Sequence, residues 1–147
     1  MKRQIKSIFI VWFALFVSQG IYLFLGKTLG AQATGTPPEN FVQLLTLVAM
    51  LTVFAAVCIH AFLVRRPLNQ LKGPIPDDLI AKLLPMNIIS WAMVESVAVY
   101  GLLVSMMGGG FSTQLRFAMT AVGAFVFIGP WHSSFRARAP KDERPIG

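Results

Sequence analysis

Glu95 is the one residue in this chain that sits where its type is costly, a carboxylate inside the apolar run Trp91 to Met107, WAMVESVAVYGLLVSMM. Every other acid, Glu39, Asp77, Asp78, Asp142 and Glu143, falls between long apolar segments or in the C-terminal tail. At the centre of a bilayer an acidic side chain costs roughly 2.5 to 3.5 kcal/mol on insertion scales, so it turns toward protein or water and marks a functional site by default. No basic residue shares its depth, and desolvation without a partner cation favours the neutral form. A group that holds a proton in one environment and releases it in another is what proton translocation requires.

The residues expected beside Glu95 are Ser96, next in sequence, Tyr100, five positions on and about 140° round a helix, and Thr52 on the preceding apolar segment. Ala49, Thr52, Ala56 and His60 share one helix face by spacing, and Ala98, Gly101, Ser105 and Gly108 form a small-residue stripe beside Glu95 that lets another helix approach closely. Gln19 is a further polar group at mid-segment. Competing structural roles are a neutral carboxyl that holds helices together for Glu95, and interhelical hydrogen bonding for Ser96, Thr52 and Gln19. Tyr22 and Tyr100 divide between packing and a site, and Trp12, Trp91 and Trp131 fit packing or interface anchoring. His60 and His132 lie near segment ends without metal-ligand spacing. There is no phosphate-binding glycine loop, zinc motif or nucleophile with a visible base, so no enzyme site and no cofactor beyond a carried proton or sodium ion is expected.

The elements that must position Glu95 are membrane helices. With 55% hydrophobic residues, 13% charged and a mean hydropathy of +0.65 over 147 residues, the chain is too apolar for an ordinary soluble domain, where about 25% of residues are charged. The expected class is an all-α membrane protein of four transmembrane helices, arranged as two helical hairpins. The net charge of +7 does not indicate nucleic acid, because the bases cluster at the ends of apolar runs rather than along one surface. Cys58 is the only cysteine and can form no internal disulfide.

Residues 8–26 carry no charge and span about 28 Å as a helix, the first crossing. Cleavage as a signal peptide at Ala31-Gln32-Ala33 is the lesser reading, because the apolar run exceeds the usual 7 to 15 residues. The second crossing, 41–64, is expected to stop at Arg65-Arg66-Pro67. A cytoplasmic loop, 65–84, carries a short interfacial helix from about Asp78 that meets the third crossing, 85–107, at a bend or break at Pro85. Gly108-Gly109-Gly110 turns the chain into the fourth crossing, 112–131, and 132–147 reads as a cytoplasmic tail. Of the 13 Lys and Arg, only Lys27 and Arg116 fall on the side opposite the termini, so both termini are expected in the cytoplasm, in a bacterial inner membrane.

The two halves align weakly as copies of one hairpin. Ser18-Gln19-Gly20-Ile21-Tyr22 lies on Ser96-Val97-Ala98-Val99-Tyr100, and Gln43-Leu44 to Arg65 lies on Gln114-Leu115 to Arg136 without a gap. Val17 then stands in the place of Glu95, so only the second hairpin keeps a carboxylate.

The stretch Met93-Val94-Glu95-Ser96-Val97-Ala98-Val99-Tyr100-Gly101-Leu102-Leu103-Val104, preceded by Arg65-Arg66-Pro67, resembles the outer-helix signature and cytoplasmic loop of the proteolipid rotor subunits of rotary ATPases, subunit c and its duplicated V-type relatives. The resemblance implies a homo-oligomeric ring in lipid, Glu95 as the carrier of protons or sodium ions, Ser96 and Tyr100 shaping its site, and the stator and central stalk of a rotary ATPase as partners. It departs where the second crossing lacks the glycine run of the family's inner helix, where the segment from Pro67 to Glu95 is longer, and where the hairpins are permuted. Those departures suit an alternative, a ring-forming scaffold or pore of the same fold with no ATPase. A small secondary transporter working within one chain is a third possibility.

Overall fold

The structure is a computed structural model describing residues 2–71 and 76–130, with backbone alone for residues 2–6 and Asp77. The regular elements among the described residues are all helices, without strands: α1 Lys2–Gly30, α2 Glu39–Ile59, a π-helical segment His60–Arg65, α3 Arg66–Gln70, α4 Asp77–Met106 and α5 Phe111–Phe127. Three rods, Ser7–Gly30, Glu39–Gln70 and Asp78–Met106, are long and apolar enough to cross a membrane. With 17 residues, α5 measures about 25 Å at 1.5 Å per residue. Large apolar side chains are bare on the outside, among them Ile10 at 67%, Phe54 at 68% and Phe127 at 66% exposure. Water does not tolerate such a continuous apolar surface, whereas lipid does. The chain is an all-helical membrane protein.

Both internal prolines behave differently from expectation. Helix was expected to stop at Arg65-Arg66-Pro67, yet it runs on to Gln70. The reason lies in the preceding turn: a proline ring collides with the carbonyl four residues back, and the wider π-helical winding of His60–Arg65, in which Arg66 N–H reaches Ala61 O, makes room for Pro67. Pro85 does not break the helix either, because α4 passes through it as one element of 30 residues. Pro85 and Ala81 are both exposed, so the carbonyl that loses its partner sits on the outer side of the helix. The buried residues Leu83, Asn87 and Trp91 hold the other side. Trp131 and the tail 132–147 lie outside the described residues.

Helix α4 is the axis of the fold, with α1, α2 and α5 all packed on it. Ser18 of α1 bonds Glu95 and Gly26 O accepts Ser105 Oγ at 2.9 Å, so α1 and α4 run parallel. Trp12 meets Phe125 while Tyr22 meets Gln114, so α5 runs antiparallel to both. Among the described residues α1 and α2 scarcely touch. The expected first hairpin is therefore not a packed unit, whereas α4 and α5 form one. The physical reason is that α1 packs on α4 and α5 while α2 packs chiefly on α4, so that α4 stands between them. Ala49, Ala56, His60 and Val64 are the buried residues of α2 and its π-helical extension, and Gly30 of α1 lies on Ser105.

Small residues set these separations, as the stripe on α4 implied. A Cβ on Gly101 would lie 2.7 Å from Phe117 Cβ and 3.1 Å from Gln114 O, and one on Gly26 would occupy the Gln114 amide. At the opposite end, Trp12 stacks on Phe16 with ring centroids 5.2 Å apart. Its Nε1 donates to Phe125 O at 3.4 Å, and Trp91 Nε1 donates to Ile128 O at 3.1 Å. The two indoles thus serve carbonyls at the C-terminal end of α5, where helices leave acceptors unmet. Gly108 and Gly110, at φ 90° and 78°, make the turn between α4 and α5 in a region that side chains disfavour.

Candidate ion-carrying site

Glu95 is half-buried on α4, and its carboxylate is met from α1. Ser18 and Tyr22 stand four residues apart on one face of α1, and both hydroxyls donate to Glu95 Oε1, Ser18 Oγ at 2.5 Å and Tyr22 Oη at 3.0 Å. Ser18 Oγ also lies 2.7 Å from Leu15 O on its own helix.

A serine hydroxyl has one hydrogen and two lone pairs, so Ser18 cannot donate to both acceptors at once. Two assignments fit the same heavy-atom positions. With Glu95 ionised, Ser18 gives its hydrogen to the carboxylate. With Glu95 neutral, the carboxyl gives its proton to Ser18 Oγ and Ser18 turns its own hydrogen to Leu15 O. Either protonation state is hydrogen-bonded without movement of the helices.

Helix α5 steadies this arrangement from behind. Gln114, 1% exposed, donates Nε2 to the Tyr22 carbonyl at 2.6 Å, and its amide fits only because position 26 is glycine. Gln114 Oε1 is buried and has no hydrogen-bond partner among the described residues. Neither has the amide of Gln19, 1% exposed, between the two hydroxyl residues in sequence. Gln43, the counterpart of Gln114 in the sequence repeat, is exposed and bonds Glu39 on its own helix.

The neighbours expected from the sequence do not supply the site's donors. Ser96 Oγ donates to Met93 O at 2.7 Å, and Thr52 Oγ1 donates to Val48 O at 2.8 Å, each within its own helix. Tyr100 packs half-buried against the core and makes no bond to Glu95. Adjacent and fifth-neighbour residues project from other faces of α4, so neither converges with Glu95. The signal for the true partners was present in the repeat, which paired Ser18 with Ser96 and Tyr22 with Tyr100. It identified hydroxyls on α1 at the right spacing without saying that they turn toward α4. Among the described residues no cluster of three His, Cys, Asp or Glu suits a metal ion. Comparison with known protein families, with curated proteins and with solved structures finds no match to this chain.

Proposed function

We propose that this chain is an ion-carrying membrane subunit in which Glu95 binds and releases a proton, as the carboxylate of a rotary ATPase proteolipid does. The observation that supports the reading is the Leu15–Ser18–Glu95 geometry, in which one hydroxyl serves the carboxylate when it is charged and accepts from it when it is neutral. A proton needs no further ligands in this site, which favours it over sodium. Ser18 and Tyr22 take the part that the sequence resemblance gave to Ser96 and Tyr100. In this reading the helix ending at Phe127 completes a fourth crossing, both termini face the cytoplasm of a bacterial cell, and several copies assemble side by side into a ring.

The test is labelling by a hydrophobic carbodiimide, which reacts with a protonated carboxyl in an apolar setting. Glu95 is expected to label faster at low pH than at high pH, and Glu95→Gln to lose both the label and ion flux in reconstituted vesicles. Absence of label at Glu95 in the intact assembly would sink the proposal. The second reading is a scaffold in which Ser18, Tyr22 and Glu95 act only to fasten α1 to α4, and the lack of an α1–α2 hairpin favours it. In that case Glu95→Gln keeps any flux and loses stability instead.

A further inference from the structure

A second polar feature lies on the other side of α4, away from α1. Helices α2 and α5 touch only lightly, and between them opens a groove of about 330 Å³ with Val97 of α4 as its floor. Ala49 and Met50 of α2 and Phe117 of α5 make its walls, and Arg116 and Thr113 stand on the α5 side. The volume falls in the range of small-ligand sites. Arg116 begins its side chain five residues into α5, about 7.5 Å along the helix. It makes no ion pair among the described residues. On the proposed reading that makes α5 the fourth crossing, an ionisable side chain left in the span without a counter-charge calls for one from outside the chain. Thr113, one turn earlier on the same face, has its hydroxyl uncommitted, whereas Thr120, one turn later, is bonded to the Arg116 carbonyl.

We propose that this groove holds an anionic glycerophospholipid, its phosphate on the Arg116 guanidinium and Thr113 hydroxyl and one acyl chain along Ala49, Met50, Val97 and Phe117. The pieces fit that chemistry in order. Guanidinium forks pair phosphate oxygens two at a time, the long arginine side chain reaches toward the headgroup level, and the rest of the lining is mostly apolar, with Thr46 and Thr120 the exceptions. Zwitterionic lipid fills the groove equally well but offers the cation no net charge. The selectivity therefore comes from Arg116.

The experiment is native mass spectrometry of the full chain released from vesicles containing equal amounts of phosphatidylglycerol and phosphatidylcholine. Wild type is expected to retain phosphatidylglycerol over phosphatidylcholine by roughly fivefold, the effect of one basic side chain on anionic lipid. Arg116→Gln should abolish the preference, Arg116→Lys should keep part of it, and Thr113→Val should weaken it. Met50→Trp, which fills the groove without touching the cation, should lower retention of both lipids. Equal retention by wild type overturns the proposal, and so does a preference that survives Arg116→Gln. If the anionic preference is absent and Arg116→Gln instead dissociates an oligomer, the occupant is a second copy of the chain and the lipid assignment is wrong.

Discussion

At Ser18 a single hydrogen serves two acceptors, and this makes the residue more informative than its neighbours. Ser18→Ala removes the hydroxyl that serves Glu95 in either protonation state and leaves Tyr22 as its remaining partner, so the variant is expected to differ from wild type in its rate of carbodiimide labelling at Glu95. Ser96→Ala, which loses only a bond within its own helix, should match wild type in the same assay. Gln19 yields a second expectation. A buried amide with no partner costs about 1–3 kcal/mol in desolvation, so Gln19→Leu, close in size and apolar, is expected to raise thermal stability in detergent by an amount of that order. Unchanged or lowered stability would mean that the amide is satisfied by a bound partner. Glu95 was legible in the sequence because its type contradicts its surroundings, and Ser18 and Tyr22 were not because any apolar helix bearing hydroxyls looks alike until its facing partner is known.

Among the elements, the glycines separate into those that set helix spacing and those that do not. Gly101→Ala places a methyl group 2.7 Å from Phe117 Cβ and against Gln114 backbone, and overpacking of this kind costs roughly 1–3 kcal/mol. Gly20→Ala meets nothing within 4 Å and should stabilise by about 0.5–1 kcal/mol through the better helix propensity of alanine. Thermal melts of the two variants in one detergent check both signs. The extent of helix was readable from hydropathy, and the turn at Gly108 to Gly110 from its composition. The prolines misled because a proline reports a missing donor and a bulky ring, not whether the surrounding turn widens, as it does before Pro67, or whether the affected carbonyl lies on an outer face, as at Pro85. The pairing of helices was also hidden, because small residues show where a helix can be approached and not by which other helix.

For the whole molecule, the distribution of bases leads to an orientation that reporter fusions can check. A fluorescent protein joined after Gly147 should fluoresce and alkaline phosphatase joined there should be inactive, whereas phosphatase inserted near Gly35 should be active. The central position of α4 has a separate consequence for biogenesis. Synthesis delivers α1 and α2 first, yet these two helices scarcely touch, and the helix that joins them follows later. Until α4 arrives, the first two helices are held together only by the connecting residues 31–38, with Ser18, Tyr22 and Gln19 unsheltered. Tertiary structure therefore condenses in one late step, and a ribosome stalled before Asp77 would leave a nascent chain in which donor and acceptor dyes on the two helices show no fixed separation.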